Sequence, residues 1–338
     1  MKIVFLGDIM LGENLLHQNR GIKTKFKNKY FDLISEKVKN ELFIDADIVC
    51  FNLECSLINF QIQKKEHPLN KVYIAEEESL NIFSAFNGKL IANIANNHFS
   101  QHGSESSNLT REILIHHGIG IIGGIQKDPL LINSDSQNIF FWGVSLVHDK
   151  YYCNEYWFAS EEELKSHFSS RKKNTKDFWI LSIHWGDEYI EYPSNSQTML
   201  AQSLIDLGID LIIGHHPHVV QTIEKYKGKF IFYSLGNFIF DQNFSSSTTH
   251  GLVLKYNTSN SMDTKVYITN QVRFVVKNLT SKTIDEFFIK KKVNYTKLLK
   301  KRKTAAKYKM KIEYLVNILF SDYKTFLSLI KRFFLGSF

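Results

Sequence analysis

The chain has 338 residues, 43% of them hydrophobic, enough to bury a large core and to exclude a disordered chain. Its formal net charge of +8 lies in the tail: residues 289–338 carry fourteen Lys/Arg against Glu313 and Asp322, whereas residues 1–288 carry 28 against 32 acidic residues. A basic tail on an acidic body, with no known nucleic-acid-reading motif, argues against nucleic acid as partner, and the scattered Cys50, Cys55 and Cys153 exclude a disulfide framework or a cysteine-based zinc site.

The sequence opens directly on M-K-I-V-F-L-G-D, a strand that already carries a motif, so no cleavable leader is expected. No window holds eighteen uninterrupted apolar residues, so no transmembrane helix is expected either. The expected location is cytoplasmic, or peripheral on the inner face of a membrane. Apolar runs recur at residues 3–6, 48–53, 90–94, 119–122, 139–147, 178–183, 211–213 and 230–233, with helix-like segments between several of them, the alternation of an α/β fold. Ser104 is expected to cap a helix running to about residue 117. Ser160 with Glu163 predicts a capping box for another, and a third covers residues 197–207 and stops at Gly208. Beyond Gly251 three plain strands follow without helices, which predicts a meander.

The chain divides by composition into a body, residues 1–288, and a basic extension, residues 289–338. Residues 290–311 hold eleven basic residues and no acidic one. After them Ile312, Leu315, Val316, Leu319, Tyr323, Phe326, Leu327, Ile330, Phe333 and Phe334 recur at helical spacing. That helix either docks on the body or a protein partner, or lies in a membrane interface with its cations toward the headgroups.

Five motifs end or follow the apolar runs. They are G-D-I-M-L-G with Asp8; F-N-L-E with Asn52 and Glu54; A-N-N-H with Asn96, Asn97 and His98; S-I-H-W-G-D-E-Y with His184 and Glu188; and G-H-H-P-H with His215, His216 and His218. Any one of them alone is more often a helix cap or a satisfied core residue. Together, at successive strand ends, they place carboxylate, amide and imidazole groups where they can converge. Such a donor set suits Mn, Fe, Co or Zn. One or two such cations at that rim would activate water and stabilise an in-line displacement, which points to hydrolysis.

In order and wording these motifs, with Y-S-L-G-N-F-I-F-D after them, resemble the CapA family of capsule synthesis or poly-γ-glutamate biosynthesis proteins, which are similar to calcineurin-like metallophosphoesterases. The resemblance spans residues 2 to about 241. It implies a four-layer α/β/β/α sandwich of the metallophosphoesterase type and a divalent metal centre, with hydrolysis of a phosphoester, or less readily a γ-glutamyl amide, in surface-polymer biosynthesis. It implies Asp8, Glu54, Asn97, His184, His216 and His218 as metal ligands, with Asn97 and His98 catalytic and His98 the general acid. Asn52, Asn96, His215, Glu188, Ser234 and Asn237 are expected around them.

Two positions depart from the pattern. Met10 stands where the wider superfamily has a histidine ligand, which leaves one metal or two. Gln101-His102-Gly103 replaces the usual Asp-Tyr-Gly, so His102 either orients a ligand or is a solvated loop residue. Ser234 and Asn237 either shape the bend at Gly236 or support the site, and Trp185, Tyr189 and Phe238 either wall the pocket or belong to the core. Glu188 is either a metal-loop carboxylate or a contact for a cationic substrate group. The competing reading of the whole chain is a non-catalytic metal-containing component of a polymer-synthesis or export assembly.

Overall fold

The computed structural model describes residues 1–59, 72–134, 136–149, 152–288 and 293–319. In chain order the first half contains β1 (Lys2–Ile9), α1 (Ile22–Lys25), α2 (Glu36–Phe43), β2 (Ile48–Leu53), β3 (Ser56–Ile58), β4 (Ile74–Glu76), β5 (Lys89–Asn93), α3 (Gly103–His116), β6 (Gly120–Ile122), β7 (Leu130–Asn133) and β8 (Asn138–Ser145). The second half contains α4 (Glu161–Ser169), β9 (Asp177–His184), α5 (Asn195–Asp206), β10 (Leu211–His215), β11 (Ile223–Tyr226), β12 (Lys229–Phe232), β13 (Asn237–Ile239), β14 (His250–Asn257), β15 (Lys265–Val272), β16 (Val275–Lys282) and α6 (Tyr295–Leu319).

This is a mixed α/β fold with two large sheets. One runs β16-β15-β14-β1-β2-β5-β6, with β13 also paired to β1; the other runs β11-β12-β10-β9-β8-β7. The central strands β1, β2, β5 and β6, and likewise β8, β9, β10 and β12, are parallel. Their near-continuous apolar runs are those of strands buried on both faces. Alternate residues of each strand enter different cores. Ile3 and Phe5 of β1 join Ile180 and Ile213 of the second sheet in one core, while Val4 and Leu6 join Val38, Leu42, Ile113 and Leu114 of α2 and α3 in another. A third core holds Leu181 and Ile212 with Leu164, Leu200 and Leu204 of α4 and α5.

Each of the eight predicted apolar runs overlaps a strand, with residues 94, 119, 146–147 and 233 falling outside, and β14, β15 and β16 form the expected meander. Ser160 and Glu163 make the predicted capping box, and Ser194 with Gln197 makes a second at the start of α5. The prediction at Ser104 is corrected: the N-cap position is His102, two residues earlier, α3 begins at Gly103, and no side chain caps it. The extension differs more. The described helix begins at Tyr295, so it includes most of the basic segment. Its buried positions are Ala306, Tyr314 and Ile318, whereas Ile312, Leu315, Val316 and Leu319 of the predicted apolar stripe are exposed. Tyr323, Phe326, Leu327, Ile330, Phe333 and Phe334 lie outside the described residues. Among the described residues no helix is long and apolar enough to cross a membrane.

Candidate metal centre

The two sheets bring their carboxyl ends to a common rim, where open α/β sheets place their ligands. Asp8 is the penultimate residue of β1 and Asn52 that of β2, with Glu54 just beyond, and residues 96–98 follow β5. His184 ends β9 opposite His215 of β10, and Asp8 is in register with Asn237 of the short β13. The close approach of β1 and the loop before β13 requires Gly7, because a Cβ there would collide with the carbonyl of Gly236. Gly214 is required in the same way against the carbonyl of Tyr233. This is why G-D and G-H-H, rather than a bare Asp and His, form the motifs.

Asp8 lies between two histidines: its Oδ1 is 3.0 Å from His215 Nδ1 and its Oδ2 is 3.3 Å from His218 Nδ1. The Asn52 amide nitrogen donates to Asp8 Oδ1 (2.9 Å) and Glu54 Oε1 (2.8 Å), and lies 3.4 Å from His184 Nδ1. Two amide hydrogens cannot serve three acceptors, so Asn52 ties the carboxylates together without satisfying the whole cluster. Glu54 Oε2 and His216 Nδ1 are buried and have no hydrogen-bond partner among the described residues. Ligand atoms of Asp8, Glu54 and His218 lie within 4.8 Å of one another, as do those of Glu188, His216 and His218. His218 is common to both groups. Met10 is buried in the apolar core and supplies nothing to either.

The electrostatics follow from this packing. Burial opposes the charge on Asp8, but hydrogen bonds from His215 and His218 outweigh it and hold the carboxyl well below its usual range. Burial, reinforced by the charge of Asp8, drives Glu54 well above its usual range. Burial works against protonation of His218, yet Glu54 and Asp8 raise it to about 10. His184 is lowered by burial and by His216, and His216 itself falls to about 4 through burial. Asp8 and His218 are thus the pair whose shifts both favour charge, and they lie 3.3 Å apart.

His184 Nε2 meets Asn97 Oδ1 at 2.9 Å, so these two expected ligands face each other. Asn96 is a brace: its amide donates to Asn52 Oδ1 and to the Leu53 carbonyl, and its Oδ1 accepts the His98 N–H. Asn237 supports His218, with Oδ1 at 3.0 Å from Nδ1 while its amide donates to the Thr248 carbonyl. Ser234 serves the bend, its hydroxyl accepting the Gly236 N–H. His102 contacts the Val72 carbonyl (2.7 Å) rather than any expected ligand. Trp185 and Phe238 are core residues, and the Tyr189 ring lies 6.2 Å from that of His218.

Tyr73 and Gln101 were not singled out from sequence as site residues. Tyr73 stacks on His98 with ring centroids 3.7 Å apart. The Gln101 carbonyl oxygen lies 3.0 Å from His98 Nδ1. That contact makes Nδ1 the protonated nitrogen and leaves Nε2 as acceptor. Nε2 lies 3.9 Å from Glu54 Oε2, and burial lowers the imidazole to about 4.

A family described as "Bacterial capsule synthesis protein PGA_cap" matches residues 2–242. The chain is 29% identical over 274 residues to the capsule biosynthesis protein CapA of Bacillus anthracis, covering 75% of this chain and 63% of that protein. It is 29% identical over 259 residues to the PGA biosynthesis protein CapA of Bacillus subtilis, covering 74% and 66%. It therefore spans less than two thirds of either relative. Among solved structures it is similar to the purple acid phosphatase PPD1 from yellow lupin (Lupinus luteus) seeds, with a TM-score of 0.34 and 8% identity over 83% of this chain and 53% of that one, too distant to argue from.

Proposed function

The chain belongs to the bacterial capsule synthesis protein PGA_cap family, and from that premise we propose that it is a metal-dependent hydrolase, a phosphoesterase by its donor chemistry, in the biosynthesis of a capsule or other cell-surface polymer. We read the two sheets and their outer helices as the four-layer α/β/β/α sandwich of metallophosphoesterases, with residues 1–288 as the hydrolase domain and residues 289–338 as an extension.

The observation that carries this reading is the pair of donor groups that share His218. Two buried atoms there, Glu54 Oε2 and His216 Nδ1, have no hydrogen-bond partner among the described residues, although Glu54 Oε2 lies 3.7 Å from His218 Nε2. Buried polar atoms without a hydrogen bond are costly, and a cation at each of the two groups would take up the lone pair there. Asp8 and Glu54 would hold one ion and Glu188 and His216 another, with the one ring nitrogen of His218 left by its contact to Asn237 completing one of the two, and Asn97 and His184 adjoining. A divalent cation held there supplies Lewis acidity toward a phosphoryl oxygen. The His98 imidazole is held by Gln101 and Tyr73 with Nε2 open, so it takes a proton before it can return one to a leaving group. Asn52 and Asn237 hold the carboxylates and His218 in place.

Phosphoesterase activity measured with Mn²⁺, Fe²⁺, Co²⁺ and Zn²⁺ tests this in the wild type, Asp8→Ala and His216→Ala. Metal-stimulated turnover, lost in both variants, is expected; metal-independent activity, or activity indifferent to both changes, would sink the reading. A γ-glutamyl amide run alongside the phosphoesters decides the bond class.

One observation favours the non-catalytic alternative: Asp8, Glu54, His184 and His218 are all at most 1% exposed, as in a centre that stabilises a fold. A chain that gains thermal stability on metal uptake yet stays silent on every substrate would support it. On α6 the exposed Tyr308, Ile312, Leu315 and Leu319 lie among lysines, which supports a peripheral contact with an anionic membrane or a protein partner. Failure to co-sediment with anionic vesicles would exclude the membrane.

A further inference from the structure

Part of the cationic charge of α6 is directed at one loop of the body. The Tyr295 hydroxyl donates to Asp187 Oδ2 (2.9 Å), Lys303 Nζ donates to Asp187 Oδ1 (2.8 Å), and Arg302 pairs with Glu191 at 2.7 Å. Asp187 and Glu191 bracket Glu188, the carboxylate that groups with His216 and His218. At its other end α6 is anchored on the loop that follows Asp8. His17 Nε2 lies 3.0 Å from Glu313 Oε1, and Tyr314 and Ile318 bury themselves with Leu16 against Phe244 and Met310. Phe244 in turn sets its edge on Tyr189, with centroids 5.3 Å apart.

The bracketed loop has an unusual backbone. Tyr189 has φ +64°, a conformation that non-glycine residues adopt at a cost and keep only where surroundings impose it. From the inner side the Tyr189 N–H donates to the Pro217 carbonyl (2.8 Å), and Gln221 donates to the carbonyls of Ile190 and Tyr192. From the outer side its ion pairs come from α6. The side chains of Arg302 and Lys303 are 45% and 49% exposed, so each pair contributes little to stability. What they fix is the direction of the loop.

We propose that α6 is a positioning strap: through Tyr295, Arg302 and Lys303 it holds residues 186–191 so that Glu188 presents its carboxylate to His216 and His218. The inference rests on the reading of those three residues as a metal position. It makes the extension part of the site rather than an independent appendage.

The experiment is calorimetric titration of Mn²⁺ into the metal-free, full-length chain. Four proteins are compared: the wild type, Glu188→Ala, the triple variant Tyr295→Phe/Arg302→Ala/Lys303→Ala, and all four changes combined. The triple variant is expected to weaken Mn²⁺ binding at the Glu188 position about tenfold, the low end for loss of the contacts that orient a ligand. Its melting temperature should stay near the wild type. Glu188→Ala should remove that position, and the triple change should then have no further effect on Mn²⁺ affinity, the signature of residues acting through one another. Wild-type Mn²⁺ binding in the triple variant, with Glu188→Ala impaired, overturns the strap and leaves the metal position standing. Wild-type binding in Glu188→Ala overturns both. An equal loss in the Glu188→Ala background shows a global effect and also overturns the strap. If the triple variant does not fold, Tyr295→Phe alone carries the test, with the same direction and a smaller loss of affinity expected.

Discussion

Asp241, the last residue of Y-S-L-G-N-F-I-F-D, gives a pH dependence whose sign follows from its surroundings. It is fully buried. Its Oδ2 accepts the Asn14 N–H at 2.8 Å, while Oδ1 has no partner among the described residues. Burial raises the carboxyl; His17 and the Asn14 N–H pull it down, Glu13 pushes it up, and the net result is about 7. In the unfolded chain an aspartate titrates near pH 3.9. Below that value both states are protonated and stability is unaffected. As pH rises toward 7 the unfolded chain ionises first, so stability is lost progressively until the folded carboxyl also ionises. The difference corresponds to roughly 4 kcal/mol at full extent. Asp241→Asn keeps an oxygen for the Asn14 N–H and cannot ionise. It also adds an amide donor, whose cost does not vary with pH. Urea denaturation of both proteins between pH 4 and 8 should therefore show the wild type losing a few kcal/mol relative to the variant across that window. A gap between the two that stays constant from pH 4 to 8 would refute the reasoning.

Three further outcomes follow from the packing. Gly214→Ala drives a methyl into the Tyr233 carbonyl and the Trp185 ring nitrogen and should cost at least about 2 kcal/mol of folding stability in urea denaturation. Asn237→Leu removes the oxygen 3.0 Å from His218 Nδ1, and Mn²⁺ affinity measured by calorimetry should fall about 10–100-fold. Ser194→Ala breaks the capping box of α5 and should cost about 1 kcal/mol, seen as a lower melting temperature with metal binding unchanged.

Much of this architecture is legible in the sequence because strands buried on both faces leave continuous apolar runs, and most of these runs lead into a chemical motif. The convergence of Asp8, Glu54, His184 and His218 follows from parallel strands that share one rim. Tyr73 was not legible: it reaches His98 from beyond residues 60–71, and no local pattern marks an aromatic residue as a stacking partner. The buried face of α6 was misassigned for a different reason. Around residues 312–319 apolar residues occur on adjacent positions, so spacing alone fits two faces. Tyr314 and Ile318 are inward because Leu16, Phe244 and the His17–Glu313 pair lie beneath them. Ser104 is not the cap because the N-cap position falls two residues earlier, at His102.

The central claim is that two donor groups meet at His218, and the metal content of the purified chain tests it most directly. After dialysis against Mn²⁺ and removal of loosely held ions, elemental analysis should find bound metal in the wild type and none in His218→Ala, with both proteins folded by circular dichroism. Equal metal in the two proteins, or none in either, would contradict the account.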